Sequence, residues 1–492
     1  MNLKKPNLMK TMNAADVRRD FAASWVVFLV ALPLCVGIAV ASGVPAELGL
    51  VTGIVGGLVA GVLPGSSLQV SGPAAGLTVL VFEAVHEHGL SALGAMVLAT
   101  GLCQLLLGTL GWGRWFRAIS VSVVEGMLTG IGLVLIAGQL YSVTGAAAPD
   151  SGPAKIAGLP GMLADAVTSA EARASLLLGA GTIAVLVLWP RLPARVRALP
   201  GPLAAVALAT AVALLFGLPV AEVRVSGLLA AVQPPGLVDV GRLLDPGLLG
   251  TVLAFTLIAS AESLFSAAAV DRLHNGPRTH YNRELMAQGA GNTVCGLLGA
   301  LPMTAVIVRS SANVQAGART RLSRVLHGVW LLLFAVLLPQ ALTLIPLPAL
   351  AAVLVHAGFK LIPARQMVEL WRERRGEVLI LVVTAVSIVL VSMFEGVLIG
   401  LVLAVVKAAW EASQVRLDVT DTGTGPIHVH LSGNATFLRL PKILDSLEAL
   451  PPGRPVALDL SGLHHLDHAC RTALESWSAR YRAEGVEPVT IG

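Results

Sequence analysis

Arg309 stands inside an otherwise apolar stretch, Thr304-Ala305-Val306-Ile307-Val308-Arg309-Ser310-Ser311-Ala312. An arginine at the centre of a membrane helix costs about 2.5–3.5 kcal/mol even on a lenient scale. At a helix start it also opposes the positive end of the dipole. Something negative must compensate, and two readings stand open: an anionic ligand held at Arg309, or a buried carboxylate paired with it. Glu262, within Ile258-Ala259-Ser260-Ala261-Glu262-Ser263-Leu264-Phe265-Ser266, is the counterpart. Its carboxyl can take a proton, pair with Arg309, or build a cation site with Ser266 one turn on.

A second run offers the same kind of chemistry without a charge. In Ser71-Gly72-Pro73-Ala74-Ala75, small residues let a ligand approach the backbone. Pro73 suits a first helical turn, where its missing N–H is no loss. Unsatisfied N–H groups and the helix dipole then favour an anion. Ser310, Ser311 and Ala312 supply the matching start at Arg309. The two places share a weak repeat. Gly61-Val62-Leu63-Pro64 recurs as Gly299-Ala300-Leu301-Pro302, and each precedes a short polar–apolar run. Chance likeness among Gly-rich segments is the plain alternative. Pro33-Leu34-Cys35-Val36 interrupts the first apolar run. This either opens backbone near the site, with Cys35 among the candidates, or is a simple kink. Glu284, Gln288 and Asn292 recur every four residues and share a helix face too polar for lipid. Structural and gating work fits that face better than substrate contact.

Elements buried in a bilayer must position these groups. The chain of 492 residues is 55% hydrophobic and 13% charged, with mean hydropathy +0.78. That is far from the composition of a soluble domain. Apolar runs recur from Ala22–Ala41 to Gly396–Trp410, about fourteen in all, against the roughly 20 residues a full crossing needs. The third (Ala74–Phe82) and tenth (Ala312–Gly317) are short enough to be half-helices. Paired short segments in oppositely oriented halves point to a transporter's binding site. Lys4, Lys5, Lys10, Arg18 and Arg19 precede the first run, and further basic clusters follow the fourth, sixth, eighth, tenth and twelfth. All lie on one side if the N-terminus is cytoplasmic, while Lys155 and Arg173 fall opposite. The expectation is a cytoplasmic N-terminus (1–20), an all-α polytopic membrane domain (21–412) and a small cytoplasmic α/β domain (427–492), in the cytoplasmic (inner) membrane.

After Trp410 the chain turns polar. Residues 418–426 read as a linker, Ile427–Leu431 as a half-buried strand and Leu440–Leu450 as a helix ended by Pro451-Pro452-Gly453. Val456–Leu460 reads as a strand, Cys470–Ala483 as a helix and Pro488–Ile491 as a last strand.

Gln69-Val70-Ser71-Gly72-Pro73-Ala74-Ala75, the Glu262-Ser263-Leu264 stretch, Asn282 through Asn292, and Val308-Arg309 to Gly317-Ala318-Arg319-Thr320 resemble the SulP anion transporters, also called solute carrier family 26. The likeness covers nearly the whole chain, and the tail looks like a STAS domain. The resemblance implies fourteen spans in two inverted seven-span repeats, a core domain moving against a gate domain, and a homodimer. It implies substrates such as sulfate, bicarbonate, chloride, oxalate or dicarboxylates, moved by proton or sodium symport or by exchange. Two departures stand out. The loop His465-Leu466-Asp467-His468-Ala469-Cys470 lacks the hydroxyl that STAS phosphoswitches use, and position 308 is Val.

The expected function is secondary-active transport of a small anion (sulfate, bicarbonate or a dicarboxylate) by alternating access, coupled to protons. Exchange or sodium-coupled bicarbonate uptake is the alternative. A nucleobase transporter of similar architecture sits poorly with Arg309 and the STAS-like tail. A membrane scaffold for the tail remains a further class. No nucleophile–base pair, metal triad or phosphate loop supports an enzyme. No cofactor motif or nucleic-acid patch is present, and Cys35, Cys103, Cys295 and Cys470 lack metal-ligand spacing.

Overall fold

A computed structural model describes residues 13–118, 120–149, 151–193, 195–423 and 425–483. The basic cluster at Lys4–Lys10 and the expected last strand, Pro488–Ile491, lie outside them. The chain forms two compact units, residues 1–400 and 401–492.

The first unit is helical. Helix α1 (Ala14–Ala41) is continuous through Pro33, so of the two readings the opened backbone does not occur. One lost backbone bond is tolerated because α1 is held on both sides by packing against other helices. Asp20, read with the polar terminus, is buried and accepts from the N–H groups of Arg319 (2.6 Å) and Thr320 (3.1 Å). Helix α2 (Ala46–Val55) ends in a π turn, Gly56–Ala60. Then come α3 (Thr78–His88), α4 (Leu90–Thr109), α5 (Val121–Thr144), α6 (Gly152–Thr168), α7 (Ala170–Leu188) and α8 (Gly201–Phe216). Single turns α9 (Leu228–Ala231) and α10 (Leu237–Gly241) lead to α11 (Pro246–Leu273), α12 (Tyr281–Leu297) and α13 (Ile307–Gln315). The unit continues through α14 (Leu322–Leu337), α15 (Gln340–Thr343), α16 (Leu347–Leu361), α17 (Ala364–Glu373), α18 (Arg375–Leu390) and into α19 (Met393–Ala412). Seven helices among the described residues are long and apolar enough to cross a membrane, with shorter apolar helices at 46–60, 201–216 and 322–337.

Helix α6 was not expected. Lys155, placed by its charge in a loop, is buried on it, with Nζ 5.3 Å from the centre of the Phe82 ring.

The two short segments differ from expectation in an informative way. Ser71–Pro73 is not a helix start but strand β1, antiparallel to β2 (Met303–Ala305), with Ser71 opposite Ala305 and Pro73 opposite Met303. Extended backbone at membrane depth needs partners for every N–H and C=O, and here each half of the chain partners the other. The Val306 N–H donates to the Val70 carbonyl at 2.9 Å. Pro73 therefore ends a strand, with no first helical turn to occupy. A 3₁₀ turn, Ala75–Leu77, leads into α3. The tenth segment begins at Ile307, ahead of the expected Ala312, which puts Arg309 in its first turn.

The second unit holds a three-stranded sheet in the order β3 (Val415–Thr420), β4 (Ile427–Ala435), β5 (Val456–Leu466). Strands β4 and β5 are parallel, joined through α20 (Leu440–Glu448), and α21 (His468–Ala483) follows. Ile427, Val429, Leu431, Ile443, Val456, Leu474 and Trp477 form its core. Residues 418–420 belong to β3 rather than to a linker, because they pair antiparallel with β4. At the start of α21, Asp467 caps the helix by accepting from the Cys470 N–H at 2.8 Å. Burial and that carboxylate push the Cys470 thiol up to about 12, so it stays neutral.

Candidate functional site

A cavity of about 460 Å³ lies within the first unit. One wall is made by Ala75 and Gly76, by Glu262 and Ser266 on α11, and by Val306–Arg309 at the start of α13. The facing wall comes from Val124, Glu125 and Leu128 on α5 and from Val353, His356 and Lys360 on α16. The first internal bond of α13 runs from Ser310 N to Val306 O at 3.0 Å. The N–H groups of Ile307, Val308 and Arg309 precede it, on residues that line the cavity. Ala75 and Gly76 open the 3₁₀ turn on the other short segment. Two chain segments thus bring helix starts to one cavity, an arrangement suited to negative charge.

Arg309 has no solvent exposure. Its Nη2 donates to the Pro73 carbonyl at 3.3 Å, and among the described residues its Nε and Nη1 have no partner. Buried donors without partners are rare and point to a missing ligand. Gly72 seats the guanidinium: a Cβ there would collide with Nη1. Cys35 is buried beside the guanidinium but does not line the cavity.

Glu262 stands on the same wall, and no ion pair joins it to Arg309 among the described residues. Among the described residues its Oε2 has no hydrogen-bond partner, and the Thr304 hydroxyl lies near the carboxylate. Its two oxygens sit 2.7 Å from where a Cβ on Gly76 would lie. Gly76→Ala therefore forces the carboxylate away from the short-segment start. Uptake by the reconstituted variant is expected to fall at least about tenfold, the scale of a displaced site group, with an unchanged gel-filtration profile. Unchanged flux would mean that the carboxylate position is immaterial.

The other expected contacts divide differently. The Ser310 hydroxyl accepts from the Val70 N–H (2.9 Å) and donates to the Val306 carbonyl (2.8 Å). It is committed to the β1–β2 ribbon. Ser311 donates to the Val308 carbonyl at 2.9 Å. Ser71, Gly72, Pro73, Ala74, Ser310, Ser311 and Ala312 do not line the cavity. Of the expected residues, Arg309, Glu262 and Ser266 meet there, while Ala75 and Gly76 take the place assigned to Ser71–Ala74. The shift follows from the ribbon, which consumes the residues before each helix.

Glu284, Gln288 and Asn292 are buried along one face of α12. Glu284 accepts from the Ser66 N–H (2.7 Å), Gln288 donates to the Ser71 hydroxyl (2.8 Å) and Asn292 accepts from the Met303 N–H (2.7 Å). The face thus holds both strands of the ribbon. Arg324 adds to this, donating to the Leu63 carbonyl at 2.9 Å.

Sequence reasoning passed over Glu125, His356 and Lys360. The available signal was an ionisable side chain inside an apolar run, which marks a candidate site by default.

The comparisons agree with this architecture. A model of the sulfate permease family matches residues 17–384. The putative sulfate transporter YbaR of Bacillus subtilis (strain 168) is 24% identical over 481 residues, spanning 96% of this chain and 94% of that protein. The bicarbonate transporter BicA of Picosynechococcus sp. is 28% identical over 368 residues, spanning 70% and 62% respectively. The solved structure of murine Solute Carrier 26 family member A9, an anion transporter in the inward-facing state, is similar with a TM-score of 0.77 at 17% identity. It covers 98% of this chain and 86% of that one. At that identity the likeness establishes the fold.

Proposed function

The chain belongs to the sulfate permease family, and from that premise we propose that it carries a small oxyanion, sulfate, bicarbonate or a dicarboxylate, across the cytoplasmic membrane. The observation that carries this reading is the Arg309 guanidinium, buried at the cavity wall with two donors unpartnered. The anion sits among the N–H groups of residues 75–76 and 307–309, with Arg309 supplying the charge.

The same reading includes fourteen crossings in two inverted repeats, a homodimer, cytoplasmic termini and a STAS-type tail, expected at residues 427–492 and extended at its start by β3 (Val415–Thr420). Spans one to four and eight to eleven form the moving core. The β1–β2 ribbon supports this, because it makes one body of the two short segments. The decisive experiment is uptake of labelled sulfate, bicarbonate and dicarboxylates into proteoliposomes, with and without proton and sodium gradients. Flux of uracil or xanthine in place of anions would overturn the reading. A protein truncated after Glu411 is expected to lose yield or regulation while keeping its turnover. A folded truncation with no flux would give the tail a role in the transport step itself.

Coupling is assigned to Glu262, with a proton as the coupling ion. An ionised Glu262 competes with the anion for the field of Arg309, and a protonated one does not, so proton and anion bind cooperatively. Glu262→Gln is then expected to keep anion binding but lose accumulation driven by an inward proton gradient. Wild-type pH-dependent accumulation in that variant would remove the carboxyl from coupling. A sodium site is favoured by one observation: Glu262 and Ser266 lie a turn apart and both line the cavity. Sodium dependence at fixed pH would select it, and exchange without either gradient would exclude both.

A further inference from the structure

Helix α17 (Ala364–Glu373) links α16 to α18, and none of its residues is buried. At about 100° per residue, Ala364, Met367, Val368, Leu370 and Trp371 fall on one arc. Arg365, Gln366, Glu369, Arg372 and Glu373 fall on the other. Val368 and Trp371 are 56% and 54% exposed. Arg365 and Arg372, two turns apart, flank the apolar arc beside Val368, while Glu369 and Glu373 lie farther round. Exposed Arg374 and Arg375 follow at once, and the Arg375 guanidinium lies 6.0 Å over the Trp371 ring.

Such a face, left in water, buries nothing. The helix is tied at both ends to helices with exposed apolar side chains, Phe359 on α16 (59%) and Leu379 on α18 (62%). Its exposed apolar arc calls for an apolar cover beside those helices, and its flanking arginines match anionic headgroups. We propose that α17 lies in the membrane interface and binds anionic phospholipid. Val368 and Trp371 enter the acyl boundary, and Arg365, Arg372, Arg374 and Arg375 engage headgroup phosphates. Gln366 on α17 and Pro363 just before it also line the cavity.

The test is tryptophan fluorescence of the full chain in nanodiscs containing brominated phosphatidylglycerol or brominated phosphatidylcholine. The difference between wild type and Trp371→Phe isolates Trp371. Its emission is expected to be quenched by both lipids, and more strongly by phosphatidylglycerol. Arg365→Gln and Arg372→Gln are expected to reduce that preference about fivefold each, the value of one basic residue at an anionic surface, with quenching by phosphatidylcholine retained. Equal quenching by both lipids in wild type would overturn the headgroup assignment. Quenching of Trp371 by aqueous iodide and by neither lipid would overturn the whole proposal. So would protection from all three quenchers with crosslinking at position 368 to a second copy, which would make the face a protein interface. Each altered side chain is exposed, and an unchanged gel-filtration profile confirms that the variants fold.

Discussion

Arg309→Ala is expected to weaken anion binding at least about a hundredfold. Two charge-assisted hydrogen bonds at roughly 1.5–3 kcal/mol each correspond to that factor or more, at about 1.4 kcal/mol per tenfold. The two donors are those without a hydrogen-bond partner among the described residues, Nε and Nη1. The variant should fold, because among the described residues the Arg309 side chain is tied to the protein by one hydrogen bond, to the Pro73 carbonyl at 3.3 Å, and by its approach to the Cys35 thiol, and removing a buried charge lifts a desolvation cost. Arg309→Lys restores charge without the planar fork, so partial recovery is expected. Calorimetric titration of the detergent-purified protein with sulfate and bicarbonate, alongside its melting temperature, provides the check. A folded Arg309→Ala protein with unchanged affinity would refute the electrostatic site.

The other large effect is on stability. Asn292 has no solvent exposure. It accepts from the Met303 N–H at 2.7 Å and donates to the Met303 carbonyl at 3.1 Å and to Gln104 Oε1 at 2.8 Å. Asn292→Leu leaves all three groups buried and unpaired, at about 1–3 kcal/mol each. The sum is comparable with the whole net stability of a folded protein, about 5–15 kcal/mol. The expected result is little or no monodisperse protein after extraction. Asn292→Asp, which keeps an acceptor for the Met303 N–H, is expected to melt between the two. Wild-type melting of Asn292→Leu would show that the ribbon does not depend on α12.

Much of this was legible before any coordinates. The family was legible as a resemblance carried by Gln69–Ala75, Glu262–Leu264, Asn282–Asn292 and Val308–Thr320, and the candidate site was legible because an arginine at membrane depth is costly and therefore informative. The polar face of α12 was legible for the same reason, and so were two unusually short helical segments near Arg309. The ribbon was not. Strands of three residues carry no readable alternation, and the partners that stabilise them come from the far half of the chain. The candidate cradle therefore slid from Ser71–Ala74 to Ala75–Gly76. Helices α6 and α17 were missed because their mixed faces look like loops to a search for apolar runs. Glu125 and His356 are lone ionisable side chains in apolar runs, a signal that was passed over, and Lys360 was read only as part of the basic cluster after the twelfth run.

The ribbon also governs how the protein can be made. The Val70 N–H and the Ser310 hydroxyl that receives it are 240 positions apart. When β1 leaves the ribosome, every group that will satisfy it is still untranslated. The early half therefore enters the membrane before the strand that pairs with Ser71–Pro73 exists. Any mutation that delays or removes the late half exposes the same segment for longer. Its damage then falls on quality control during synthesis, and is read as protein abundance before any flux is measured.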